Sequence, residues 1–200
     1  MEVLRFALLG LAPGVIYALM SQGLIAVYRG SGIVNFAQGA LVMFGAYIYY
    51  DATVTAHLPV LIGIVLAIAA TALLALVFHL LVLAPMKHGS PLARVIATLG
   101  LLVTLQSLAT LRYGNRSRAV PPFLPSWPVE ILPGISMQAS VLFLLGIGIV
   151  ITLALWLVYK FTSFGRLTSA VAENQHAVAA LGRAPNRIAA TNWALGGALA

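Results

Sequence analysis

The sequence predicts an all-α fold, a polytopic transmembrane helical bundle, and three observations predict it. Only 8% of the 200 residues are charged while 62% are hydrophobic, against the roughly 25% charge that a soluble domain uses to wet its surface. Charge-free apolar runs recur along the chain at lengths that suit a bilayer. The eleven Lys and Arg residues fall between those runs and form no continuous basic stripe. That is the pattern of membrane loops, so the net charge of +7 argues for topology and against nucleic acid as a partner.

A hydrocarbon core about 30 Å thick takes about 20 helical residues at 1.5 Å each. The chain reads as one transmembrane domain over 1–200, with spans near 6–28, 33–50, 59–85, 95–111 and 137–159. A sixth begins at 188 and runs to 200, too short to cross alone, so the domain reads as C-terminally incomplete. The first run is too long for a signal-peptide core and has no convincing small-residue cleavage site. With five crossings, one side collects Arg29, Lys87, Arg94, Lys160, Arg166, Arg183 and Arg187, and the other Arg5, Arg112, Arg116 and Arg118. Seven against four makes the first side cytoplasmic and puts the N-terminus outside.

The connection from Arg112 to Gln138 holds Pro121, Pro122, Pro125, Pro128 and Pro133, with Phe123 and Trp127 among them. Proline blocks regular helix there, and aromatic side chains suit the water–lipid boundary; a short interfacial segment is expected. Asn115-Arg-Ser117 matches a glycosylation sequon, a pattern too short to carry an argument.

Polar residues inside the spans locate the candidate path. If helix resumes near Asn35, then Asn35, Gln38, Val42 and Gly45 share one face, while Ala37, Leu41, Phe44 and Ile48 share the other. An unsatisfied amide in hydrocarbon costs several kcal/mol, so Asn35 and Gln38 need partners or water. Two readings stand together: interhelical glue with a helix cap, or the lining of a translocation path or its gate, with Gly39 beside it. In the fourth run Gly100, Thr104 and Ser107 share a face beside Gln106, either for helix packing or for the path. Gly10 and Gly14 around Pro13 predict a close-packing and kink site. His79 reads as a packed or snorkelling side chain. All four acidic residues, Glu2, Asp51, Glu130 and Glu173, lie outside the spans or at their edges. Carriers driven by protons or sodium use intramembrane carboxylates or broken-helix ion sites, so the driving force is expected elsewhere.

The chain holds no cysteine, which excludes thiolate metal sites and cysteine nucleophiles. Its only lysines, Lys87 and Lys160, sit in no phosphate-binding loop, and no metal-binding helix motif or nucleophile elbow occurs. The sequence therefore reads as a non-enzyme with no cofactor of its own. After the fifth span, Leu167, Ala170 and Val171 form one apolar stripe, and Ala177, Val178 and Leu181 another. Asn174 suits an N-cap and Gly182 a C′ stop, so two short helices are expected, each needing a partner surface because neither is stable alone.

Three groups of residues resemble a known family. Gly14-Val-Ile-Tyr-Ala-Leu19, Gly23-Leu-Ile-Ala-Val-Tyr28 and Gly32-Ile-Val-Asn-Phe-Ala-Gln-Gly39 are similar to its first two spans, and Ile96-Ala-Thr-Leu-Gly100 with Leu105-Gln106 to a further core span. Gly165-Arg166, Ala172-Glu-Asn174, Ala179-Ala-Leu-Gly182 and Asn186-Arg187 are similar to its ATPase-docking loop. The family is that of permease subunits of branched-chain amino-acid ABC importers, itself similar to ribose-type permeases. Gln38 stands where that family often has histidine, and Arg183-Ala-Pro185 replaces a more usual apolar residue.

The resemblance implies an ATP-driven uptake system in a bacterial-type plasma (inner) membrane. Its parts are a second permease subunit, identical or not, two cytoplasmic ATPases that hold the ATP and magnesium, and an extracytoplasmic substrate-binding protein. It implies a coupling segment at 160–187, with Gly165, Arg166, Ala172, Glu173, Asn174, Leu181 and Gly182 as contacts to the ATPase. The alternatives are a passive channel or secondary carrier for a small polar solute, and a non-transporting truncated scaffold.

Overall fold

The computed structural model describes residues 2–114, 118–132 and 135–200; the sequon at 115–117 lies outside the described residues. Eight α-helices account for most of it. α1 (Glu2–Ser31) is followed by a non-helical break, then α2 (Gln38–Tyr50), which ends in a π-helical turn over Asp51–Thr55. α3 (Val60–Phe78) runs into a second π-helical turn, His79–Leu83, and a 3₁₀ turn, Pro85–His88. α4 (Pro91–Tyr113) and α5 (Ala139–Phe161) flank the proline-rich connection. α6 (Ser163–Glu173), α7 (Gln175–Ala180) and α8 (Pro185–Ala198) complete the order.

Among the described residues three helical stretches are long and apolar enough to cross a membrane: Val60–Leu83, Pro91–Tyr113 and Ala139–Phe161. Their outward faces carry Leu61, Leu81, Ile96, Leu111, Val150 and Phe161, all more than half exposed. So much uncovered hydrocarbon on long helices suits lipid as the solvent.

Several boundaries differ from the sequence expectation, each for a physical reason. α1 continues past Tyr28 to Ser31, because Arg29 does not need to leave the helix: its guanidinium lies 5.5 Å from the Tyr159 ring centroid. The second span does not resume at 33. Gly32 takes φ +68°, and α2 starts only at Gln38. Its 13 residues reach about 20 Å, so the break and the Asp51–Thr55 turn supply the rest of that crossing. The proline-rich connection is not simply irregular: β1 (Pro128–Leu132) pairs antiparallel with β2 (Ile135–Gln138), Val129 opposite Met137, with a bulge between Glu130 and Leu132. This two-stranded ribbon ends at Gln138, and α5 begins directly after it at Ala139, two residues into the expected fifth span.

The run that the sequence reads as the start of a sixth span is α8, and the structure makes it the centre of the bundle. It packs chiefly against α1 and α3 and buries Ile188, Ala189, Ala190, Asn192, Trp193, Gly196 and Gly197. Trp193 is fully buried, its ring 5.8 Å from that of Phe78. Val27, Leu41, Ala75 and Leu105 complete the core around it. Glycine makes this approach possible. A Cβ on Gly196 would lie 2.8 Å from the Gly23 carbonyl oxygen, and one on Gly30 would collide with the Asn192 side chain. In lipid, apolar burial drives helix association weakly and close packing takes over. By contrast Gly10 and Gly14 meet nothing within 4 Å among the described residues; the packing expected at them is found at Gly23 and Gly30.

Candidate functional site

The break between α1 and α2 is built from local hydrogen bonds. The Ser31 hydroxyl donates to the Val27 carbonyl at 2.7 Å and accepts from the Ile33 amide at 3.3 Å. The Asn35 side-chain oxygen accepts the Ala37 amide at 3.0 Å, an Asx turn that stops the chain and restarts it as helix. Across the break, Thr98 of α4 accepts the Phe36 amide at 3.3 Å while donating to its own Val95 carbonyl.

The two candidate amides meet. Asn35 Nδ2 donates to Gln38 Oε1 at 3.1 Å, and Gln38 Nε2 donates to the Gly196 carbonyl of α8 at 3.1 Å. Both side chains are buried, Asn35 completely. The amides thus answer their own desolvation cost, and they bind α2 to α8. Thr104 and Ser107 are not brought to this cluster. Both are exposed on α4, and Thr104 donates to its own Gly100 carbonyl at 2.8 Å. Gly39 is also exposed, on the side of α2 away from the buried Gln38.

The second cluster joins the α6–α7 hairpin to the bundle. Thr162 caps α6 by accepting the Gly165 amide at 3.2 Å, and Arg166 donates to the Ser163 hydroxyl at 3.0 Å. Gly165 has no space for a side chain, because a Cβ there would fall on the Tyr159 carbonyl. The turn from α5 into α6 therefore requires glycine. Asn192 of α8 then joins three elements. It accepts from the Tyr159 hydroxyl of α5 at 2.8 Å, donates to the Thr168 hydroxyl of α6 at 3.1 Å, and donates to its own Ile188 carbonyl at 2.8 Å. Asn192 and Thr168 are both fully buried.

At the tip, Asn174 caps α7 by accepting the His176 and Ala177 amides, each at 3.0 Å. Gly182 takes φ +75°, and its amide donates to the Ala179 carbonyl at 3.0 Å to close the helix end. Val171 and Val178 turn inward onto Ile188 beside Leu167 and Ala170, so the first apolar stripe finds its partner surface inside the chain, whereas Ala177 of the second stays exposed. Leu181 does not follow Val178. It sits beyond the last turn of α7 and is 81% exposed. Ala172, Glu173, Asn174 and Gly182 are exposed with it, as is Arg166, while Gly165 is buried.

Sequence reasoning missed Thr98 and Asn192. Thr98 lies within a quoted stretch but is buried on a different face from the exposed Thr104. Asn192 is an amide in an apolar run, the same signal that marked Asn35. Among the described residues no group of His, Asp and Glu could hold a metal ion.

The family described as the branched-chain amino acid transport system / permease component matches residues 6–200. The chain belongs to this family. Membership makes it a multi-pass membrane protein of a transport system, in line with the membrane-length helices and with the motifs at 14–39, 96–106 and 165–187. Two curated relatives carry matching names. The high-affinity branched-chain amino acid transport system permease protein BraD of Pseudomonas aeruginosa is 26% identical over 202 residues, covering 96% of this chain and 66% of the relative. The permease protein LivH of Escherichia coli K12 is 28% identical over 204 residues with the same coverage. The chain therefore spans just under two thirds of the length of these relatives. No solved structure matches it.

Proposed function

We propose that this chain forms the membrane-spanning part of a permease in an ATP-driven ABC uptake system for branched-chain or related amino acids, in a bacterial inner membrane. In this reading it pairs with a second permease subunit, identical or not. It receives substrate from an extracytoplasmic binding protein and docks two cytoplasmic ATPases, which hold the ATP and magnesium. The observation that carries the reading is the α6–α7 hairpin, whose tip is exposed from Ala172 to Ala177 while its base is hydrogen-bonded into the core through Thr168 and Asn192.

That construction suits a lever. A push on Glu173 or Leu181 moves α6, and Thr168 passes the movement to Asn192. Gly196 lies one turn further along α8, and its carbonyl holds Gln38, which holds Asn35. A route of helix backbone and side-chain hydrogen bonds thus runs from the exposed tip to the break between α1 and α2. We assign Asn35 and Gln38 to the latch of the gate. The Thr104 and Ser107 face of α4, with Gly39 exposed on α2, we assign to the path itself.

The test is uptake in proteoliposomes containing the complete complex. Glu173→Lys is expected to abolish ATPase co-purification and uptake together, with the permease still folded. Uptake that persists without the ATPase, or that is indifferent to Glu173→Lys, overturns the reading in favour of a passive channel.

A further inference from the structure

Where α5 turns into α6, on the side that the charge count makes cytoplasmic, three cations stand around an aromatic shelf. Lys160 Nζ lies 4.4 Å from the Trp156 ring centroid and 5.5 Å from that of Phe161. The Arg29 guanidinium, in the last turn of α1, lies 5.5 Å from the Tyr159 ring centroid. Arg166, in the first turn of α6, reaches back to the Phe161 carbonyl at 3.5 Å and to the Ser163 hydroxyl at 3.0 Å. All three cationic residues are exposed.

Among the described residues none of the three meets a carboxylate. Asp51 pairs with Arg112, Glu2 and Glu130 belong to the other side by the same charge count, and Glu173 stands about 10 Å further along α6 than Arg166. Their partners are therefore all neutral: an aromatic ring, a carbonyl or a hydroxyl. The dipoles of α1 and α5 favour Arg29 and Lys160 in their last turns. The dipole of α6 disfavours Arg166 in its first turn, where an anion is welcome. The surface beside these charges is hydrocarbon. Leu153, Trp156, Leu157 and Phe161 are each at least half exposed, along the last turns of a helix long and apolar enough to cross a membrane. A soluble anion would use the cations and leave this strip bare. A lipid uses both, its phosphate against the cations and its acyl chains along the strip.

We propose that Lys160 and Arg166, with Arg29 at the neighbouring end of α1, bind the phosphate of an anionic phospholipid in the cytoplasmic leaflet, its acyl chains lying along α5 at Trp156 and Leu157. Lys160 belongs to α5 and Arg166 to α6, so the headgroup spans the turn between them and ties the base of the hairpin to the bilayer surface. That consequence rests on the reading of the hairpin as a lever; the lipid binding does not, and it is tested by itself.

Trp156 supplies the readout. Trp193 is fully buried, and with Trp127→Phe in place Trp156 is the tryptophan that lipid can reach. The chain is placed in phosphatidylcholine bilayers with a minor fraction of phosphatidylglycerol, and bromine is carried on the acyl chains of one lipid or the other. Brominated phosphatidylglycerol is expected to quench Trp156 emission more than the same fraction of brominated phosphatidylcholine, a preference of roughly fivefold for each cation engaged. Lys160→Gln and Arg166→Gln are each expected to lower that preference roughly fivefold. Arg183→Gln, which removes an exposed cation of the turn between α7 and α8, is expected to leave it unchanged. Quenching by brominated phosphatidylcholine reports in every variant that α5 is still in lipid. Equal quenching by the two brominated lipids overturns the proposal. So does a preference that survives both substitutions, or one that Arg183→Gln lowers as much, which would reflect the general charge of that side and no site.

Discussion

Asn192 shows how one side chain in a membrane bundle can hold several elements together without hydrophobic force. It joins α5, α6 and α8 by three hydrogen bonds, and Gly30 gives it the space to do so. Hydrogen bonds between membrane helices contribute about 0.6 kcal/mol on average and up to about 1.7. Asn192→Ala is therefore expected to destabilise the chain by about 1–2 kcal/mol, measured as a lowered unfolding midpoint in a detergent titration. Thr104→Val is the matched control. Its hydroxyl bonds only to its own helix, and the midpoint is expected to move by less than about 0.5 kcal/mol. Asn35 could be found in the sequence because the glycines around it mark a break. Asn192 carries the same signal, an amide in an apolar run, but that run reads only as the start of a further span. An amide in hydrocarbon asks the same question wherever it stands, and burial by α1 and α3 is the answer that no local pattern contains.

At the level of elements, what could be read in advance was whatever local chemistry decides. Asn174 caps α7 and Gly182 ends it because side-chain and backbone preferences act within a few residues, and both positions follow from sequence alone. α4 and α5 likewise fall within a few residues of their charge-free runs. The β1–β2 ribbon could not be read, since five prolines argue against helix without arguing for pairing. Nor could the outward turn of Leu181, which depends on α7 ending at Ala180. Two predictions belong here. Gly182→Ala forces a left-handed backbone on a residue with a Cβ, and is expected to cost about 1–2 kcal/mol, seen as faster hydrogen exchange at the end of α7. Leu181→Asp alters a side chain that is 81% exposed. It is expected to leave the unfolding midpoint unchanged while weakening ATPase co-purification, which separates a docking role from a folding role.

Across the whole molecule, the two outer helices present different solvents with different needs. α5 exposes Phe143, Ile147 and Val150 on one face, a surface that lipid satisfies. Its exposed Thr152 lies off that face, with its hydroxyl bonded to Gly148 and Gln22. α4 exposes Ile96, Val103 and Leu108, but also Thr104, Gln106 and Ser107. Thr104 and Thr110 return their hydroxyls to their own helix, whereas an exposed glutamine amide cannot do this with all its donors and acceptors. Left in hydrocarbon it would cost several kcal/mol, so this face of α4 needs water or another polar surface. The chain has no cysteine, which makes the question answerable by labelling. In the assembled transporter, Gln106→Cys and Ser107→Cys are expected to react with a membrane-impermeant maleimide, and Phe143→Cys and Val150→Cys are not. Ala37→Cys, at a fully buried site of the same break, is expected to react only during turnover, when the bond between Asn35 and Gln38 opens. Equal silence at 106, 107, 143 and 150 would place lipid or a dry subunit contact on α4 and remove the path from that face. Labelling at 37 in the resting complex would mean that the amides are not a latch at all.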